Sequence, residues 1–257
     1  MNNIYISTFG KKTIKVKNEI PIEVGSANRN DFLYSVRDNT GINISKENKY
    51  YGELTGLYWI WKNQLIQNDE LIGFGHYNKV LNVSFKKAYK LLVNEKKYDF
   101  LVAERTYITP HPQKDELNAI TAILKKYYPR YYESWTKLYN FDGSGNQCNN
   151  AQLFITTGKY FNQYCNFLFD VLKRMRIIIG DKKGSPYDVR YCAFMGERLL
   201  TVFIVTNKLS YKEYSIKYAS KLVNIGRKVT KILNINKKSR LYRTLQLKFG
   251  AKSSYKK

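Results

Sequence analysis

Apolar and polar positions along the chain follow two periods, and each predicts a kind of element. Asn3 to Phe9 alternates as a short strand does, and Ile20 to Gly25 is extended, punctuated as edge or loop by Pro21 and Gly25. Ser45 follows a run of turn formers and is the expected N-cap of a helix. Glu47 sits in its first turn, and Tyr51, Leu54, Tyr58, Trp61 and Leu65 form a buried stripe at spacings of three and four. Asn68 to Glu70 break that helix, and Leu71 to Gly75 is an apolar strand ending in the polar cluster His76, Tyr77, Asn78 and Lys79. A basic helix from about Phe85 to Asn94 and a strand at Tyr98 to Ala103 follow. Leu117, Ile120, Leu124 and Tyr127 mark a helix closed by Pro129. After a Gly/Asn-rich loop, Gln152 to Thr156 reads as a strand and Phe161 to Met175 as an amphipathic helix, with a last apolar stretch at Tyr191 to Val205. Strands alternating with helices predict an α/β fold.

Composition narrows this picture without changing it. In 257 residues, 44% hydrophobic and 15% aromatic side chains are enough for a large core, which excludes wholesale disorder. The best apolar run, Leu199 to Val205, is interrupted by Thr201 and far too short to span a bilayer. The N-terminus lacks the pattern of a signal peptide, so a cytosolic protein is expected. Cys148, Cys165 and Cys192 have no metal-ligand or disulfide spacing.

Charge does change the picture. The formal net charge is +24, enough to attract nucleic acid, anionic lipid or phosphorylated ligands. From Lys208 onward fifteen Lys or Arg stand against one acid, Glu213. Tyr218, Leu222, Ile225, Val229 and Ile232 keep a helical spacing there, with Lys217, Lys221, Arg227, Lys228 and Lys231 along or beside it. This is the pattern of a basic amphipathic helix on an anionic surface. The expected organisation is therefore a folded domain at 1–207 and a basic tail at 208–257.

Several chemistries find no motif. Gly73 and Gly75 give only G-x-G, no phosphate-binding G-x-x-x-x-G-K or nucleophilic G-x-S-x-G occurs, and the two histidines lie far apart. Two carboxylates stand out instead. Asp38 opens a hydroxyl-binding run, Asp38-Asn39-Thr40-Gly41-Ile42-Asn43-Ile44-Ser45, and reads either as a ligand contact or as a turn and cap. Glu197 follows Gly196, where one element could end and a helix begin; it reads as a catalytic carboxylate, a first-turn Glu, or an ion-pair partner of Arg198. The cluster at His76 to Lys79 is either a structural cap or a site suited to a diphosphate. Tyr127 to Tyr132 either packs or stacks on ligands.

Residues 38–63, DNTGINISKENKYYGELTGLYWIWKN, and the following IGFGHYNKVL carry a resemblance. Asp38, Asn39, Asn43, Ile44, Ser45 and Asn48, then Glu53, Leu54, Thr55, Tyr58, Trp59, Trp61, Lys62 and Asn63, are similar to the patterns of a family of bacterial capsule and exopolysaccharide glycosyltransferases. A later E-R-L-L element matches Glu197 to Leu200. The similarity covers about residues 1–206. It implies a GT-A-like (Rossmann-like) mixed sheet flanked by helices, with the basic helical tail added. The implied activity is hexosyl transfer from a nucleotide-sugar donor, a UDP-sugar such as UDP-galactofuranose, to a lipid-linked saccharide in cell-surface polysaccharide synthesis. Where relatives carry His-Tyr-Arg-Arg, this chain has Asn78 and Lys79, which removes one charge and a bidentate contact.

What the resemblance and local chemistry together imply can be stated residue by residue. Glu197 is expected as the catalytic base, with Asp38 second. Asn39, Asn43, Ser45, Asn48, His76, Tyr77, Lys79 and Arg105 are expected on the donor side, His76, Lys79 and Arg105 compensating the leaving diphosphate. Glu53, Thr55, Trp59, Lys62 and Arg198 serve the acceptor or the scaffold. No D-x-D motif occurs, so no cofactor is expected, Mg²⁺ or Mn²⁺ staying open as alternatives. The expected location is the cytoplasmic face of the plasma membrane, held peripherally by the tail on anionic lipid. Two rival readings stand beside this one: a nucleic-acid-binding protein, on the charge and 23 tyrosines, and a noncatalytic relative, on Asn78.

Overall fold

A computed structural model of the chain describes residues 2–107, 114–139, 147–220 and 223. The predicted alternation becomes a mixed sheet. β1 (Asn3–Thr8) pairs in parallel with β2 (Glu19–Glu23) on one side and with β3 (Leu71–His76) on the other. Between them lie α1 (Asn48–Tyr51) and α2 (Leu54–Asn63). A two-residue turn at Tyr77 and Asn78 leads from β3 into β4 (Lys79–Leu81), then come α3 (Phe85–Tyr89), a π-turn at Lys90–Asn94, and β5 (Phe100–Ala103). β6 (Arg105–Tyr107) and β7 (Gln147–Asn149) form a separate ribbon on either side of α4 (Lys114–Tyr127) and α5 (Pro129–Leu138). β8 (Phe154–Thr157) lies antiparallel between β3 and β5. α6 (Gly158–Ile179), α7 (Pro186–Val189) and α8 (Tyr191–Thr206) precede β9 (Tyr211–Tyr214), parallel to β5, and β10 (Ile216–Tyr218), antiparallel to β4.

The period-2 pattern divides the sheet cleanly. Tyr5, Phe74, Phe100, Val102 and Phe154 face a large core built with α2, α4, α5, α6 and α8. Ile4, Ile6, Leu101, Ala103 and Ile155 face a smaller one, covered by α3 and the π-turn through Ala88 and Leu92. Phe203 of α8 is the joint of the larger core, lying against Phe100, Tyr164 and Phe167 at ring separations of 5.3–6.2 Å. Among the described residues no helix is long and apolar enough to cross a membrane.

Four expectations are corrected. Ser45 is not a helix cap: its hydroxyl donates to Asp38 and accepts from the Ala27 amide, while a 3₁₀ turn at Ser45–Glu47 leads into α1. Leu65 is exposed because α2 has ended at Asn63. Gly196 lies inside one continuous helix, so Glu197 is not in a first turn. Residues 211–218, placed by expectation in the basic helical tail, whose helical spacing starts at Lys217 and Tyr218, are strands: Tyr, Lys, Glu and Tyr alternate at 211–214, and the Asp99 carboxylate accepts from both Ser210 N and its hydroxyl, pinning the segment to β5. Lys217 is thus on β10, whereas Lys221, Arg227, Lys228 and Lys231 lie outside the described residues.

Phe203→Ala should cost about 3–5 kcal/mol, since the cavity would open where one β-strand and two helices meet. Urea unfolding of the variant reads this as a lower midpoint with an unchanged slope.

Candidate functional site

Because β1, β2, β3 and β5 point the same way, their carboxyl ends share one edge of the sheet, the usual place for ligands in open α/β folds. His76 is the last residue of β3, and its Nε2 lies 2.6 Å from the Ala151 carbonyl oxygen. That carbonyl is presented by an unusual backbone. Ala151 and Gln152 both adopt left-handed angles, φ 67° and 53°, at a cost of about 1–2 kcal/mol each for residues carrying a Cβ. Gln152 is held by the Tyr164 hydroxyl, which donates to its Oε1 at 2.9 Å. Across from it runs Gly196, where a Cβ would come within 2.9 Å of the Gln152 amide nitrogen and 2.8 Å of Leu54. A glycine in mid-helix is what lets α8 approach, and Glu197 is the next residue.

The opposite wall is the corner between α1 and α2. Gly52 turns it at φ 54°, and a Cβ there would strike the Arg190 guanidinium. Asn48 Nδ2 donates to the Gly52 carbonyl at 2.7 Å and to Thr55 Oγ1 at 3.0 Å, and the Thr55 hydroxyl donates to the same carbonyl. This corner delivers Glu53, 8% exposed, to Arg190 at the start of α8, Nη2 to Oε2 being 2.6 Å. The charges of Glu53, Lys79 and Arg190 act on both His76 and Glu197, which makes these five residues one electrostatic group.

Their protonation follows from that arrangement. Burial pushes the Glu197 carboxyl up, and Glu53 adds to the rise, against the pull of Lys79, Arg198 and Arg190. Burial also works against ionisation of Glu53, but the neighbouring imidazole, Arg190 and Lys79 outweigh it and hold this carboxyl low. Burial and then Lys79 depress His76 to about 4. His76 is therefore neutral near pH 7, and with its Nε2 proton donated to Ala151 its Nδ1 is left as an acceptor. This corrects the expectation that His76 supplies positive charge to a diphosphate.

The other sequence-derived residues divide between scaffold and surface. Asp38 is fully buried, with Oδ2 accepting from Gly25 N at 2.8 Å and Oδ1 from Ser26 N at 3.0 Å and the Ser45 hydroxyl at 2.5 Å, so its oxygens close the loop after β2 rather than join the cluster. Asn43 makes a local turn with Ser45 N and Gly41 O, and Asn39 is exposed. The Tyr77 main chain ties the hairpin to Ser7 and Ile14. The Trp59 indole donates to Thr40. Lys62 lies exposed over the Trp61 ring at 3.4 Å. Arg198 donates to Phe194 O one turn back. Arg105 donates to the Tyr211 hydroxyl at 2.7 Å and lies 3.4 Å from Glu213.

Arg190, Ala151 and Gln152 were not legible as site residues. Arg190 stands alone in a loop, 137 positions from its partner, and nothing local signals the left-handed pair. Among the described residues no three His, Cys, Asp or Glu side chains are placed to hold one metal ion together, and Glu53 is paired to Arg190.

Comparison with known proteins adds the following. The family model described as Domain of unknown function (DUF4422) matches residues 3–208. The apo structure of the bifunctional glycosyltransferase WbbM superposes with a TM-score of 0.71 at 22% identity, covering 86% of this chain and 45% of that one. This chain therefore spans less than half the length of that protein, and the likeness is one of fold. No curated protein matches.

His76 also yields a prediction with a definite sign. A histidine whose folded pKa lies below its unfolded value of 6.5 contributes stability above 6.5 that is lost as pH falls toward about 4. Glu197, raised on folding, acts in the opposite direction above the usual carboxylate range. His76→Gln should therefore make the fall in Tm between pH 6.5 and 4 shallower than in the wild type, as measured by thermal unfolding at several pH values.

Proposed function

The chain belongs to the DUF4422 family, and from that premise together with the cluster's geometry we propose that it is a glycosyltransferase using a nucleotide-diphosphate sugar. The feature that carries this reading is Glu197, a carboxyl raised by burial that feels the charges of Lys79, in the hairpin at the carboxyl end of β3, and of Arg190, just before α8. A general base works best with a pKa near the working pH, and burial moves Glu197 that way.

In an inverting displacement Glu197 takes the proton of the acceptor hydroxyl. The acceptor oxygen bonds to the anomeric carbon as the bond from that carbon to the diphosphate oxygen breaks. The electron pair leaves with the diphosphate, whose negative charge Lys79 and Arg190 offset. Lys79 stands where relatives carry arginine, so it acts as a point charge and Arg190 supplies the planar fork. Asp38 shapes the donor side through the Gly25–Ser26 loop without touching the reacting atoms. The acceptor we favour is a saccharide on a lipid-phosphate carrier, a reading supported by the basic residues from 221 onward.

Calorimetric titration with UDP, GDP serving as control, is the test of the donor site. UDP should bind in EDTA, and absence of binding by either nucleotide, with or without Mn²⁺, would overturn the reading. Glu197→Gln should lower kcat at least about 100-fold while UDP affinity is kept. The wild-type rate should fall as pH drops below the raised Glu197 pKa, a dependence the Glu197→Gln variant should lack. Asp38→Ala should act through stability, at about 3 kcal/mol, because two amides and a hydroxyl lose their acceptor in a buried loop.

A further inference from the structure

The smaller-core side of the sheet carries a second concentration of charge that the catalytic cluster does not use. Lys86, Lys87 and Lys90 project from α3 and the π-turn, Lys96 and Lys97 from the turn before β5, Lys212 from β9 and Lys217 from β10. Except for Lys212, which is half-buried, all of these side chains are exposed. The lysines are interleaved with aromatic rings. Lys87 and Lys212 each lie 5.8 Å from the centroid of Tyr214, and Lys212 and Lys97 lie 5.8 and 6.0 Å from that of Tyr98. Nearby acids are engaged: Glu95 with Lys90, Asp99 with Ser210 and Glu213 with Arg105.

From this face we infer that the folded domain itself docks on an anionic lipid bilayer through Lys87, Lys97 and Lys212, with Tyr98 at headgroup depth and the Tyr214 ring, its hydroxyl buried, backing the lysines. The tyrosines favour lipid over nucleic acid. Tyr89, Tyr98, Tyr214 and Tyr218 are packed against the smaller core, so their rings are already covered on one side. Stacking on bases needs open ring faces, whereas an interfacial tyrosine needs an apolar body that is anchored and an edge that is wet. Two further features fit. The face is continuous in sequence with the basic residues beyond 220. β10 also pairs with β4 through Tyr218 and Lys79, so the docking face and the catalytic hairpin share strands. A lipid-carried acceptor would then be presented beside Lys79, a point that rests on the proposed transferase reading. The docking itself does not.

The test is co-sedimentation of the full-length chain with phosphatidylcholine vesicles containing phosphatidylglycerol, against pure phosphatidylcholine vesicles. Wild type should bind only the anionic vesicles. The triple variant Lys87→Glu, Lys97→Glu, Lys212→Glu should lose affinity by at least about tenfold. The triple variant Lys125→Glu, Lys126→Glu, Lys173→Glu makes the same change in net charge on the helical side and should bind within about twofold of wild type. Equal losses in both variants, or none in either, would overturn the inference. So would loss of RNA binding by the first variant with vesicle binding intact. Thermal unfolding of each variant controls for misfolding. UDP titration is read separately: a first variant that still binds UDP but not vesicles isolates the docking face. A wild type that binds vesicles but not UDP would leave docking standing and remove the transferase.

Discussion

A carboxylate and a guanidinium that start 137 residues apart meet at 2.6 Å where almost no water reaches the carboxylate, and the guanidinium helps to keep that carboxylate ionised. Breaking a buried pair by removing one partner typically costs about 3–5 kcal/mol. Around the contact between Glu53 and Arg190 the rest of the site is arranged. The Gly52 corner has no Cβ because Arg190 occupies that space, Asn48 and Thr55 hold the corner's carbonyl, and α8 begins just after Arg190 and carries Glu197 two turns along. The same two charges also act in opposite senses on Glu197, Glu53 raising its pKa and Arg190 lowering it.

The second constraint is conformational. Two successive residues with side chains, Ala151 and Gln152, are held left-handed just before β8, and their surroundings over-determine them. Tyr164 grips the Gln152 amide, and Asn149 exchanges hydrogen bonds with Thr201 while also reaching the Ala103 carbonyl. The strain is thereby converted into the position of one carbonyl oxygen, which fixes which nitrogen of His76 carries the proton.

Most strands and helices were legible because their burial is one-sided. Tyr5 against Ile4 and Ile6, and Phe100 and Val102 against Leu101 and Ala103, divide between two cores as alternation predicts. The dense motif at 38–63 was legible as important but not in its purpose. Asp38, Asn43 and Ser45 spend their polar atoms on the loop after β2, Trp59 donates to Thr40, and Asn48 and Thr55 hold the corner that delivers Glu53. Arg190 was illegible because its partner is set by tertiary packing. Gly196 misled because a glycine in a helix usually marks an end, whereas here it marks contact with Gln152 and Leu54. The basic composition from Lys208 hid two strands, since charge says nothing of period and only the pairing of Tyr211 with Phe100 decides it.

The position of β8 has a kinetic consequence. Its partners Leu71 and Phe100 are drawn from well upstream, so the middle of the sheet stays open while the intervening chain, including α4 and α5, is made. Until Phe154 to Thr157 arrive, β3 and β5 each present an unpaired apolar edge, a template for pairing with another molecule. A nascent or refolding chain is thus most vulnerable to association through its own central strands, and gap closure by β8 rather than helix formation is the step that protects it.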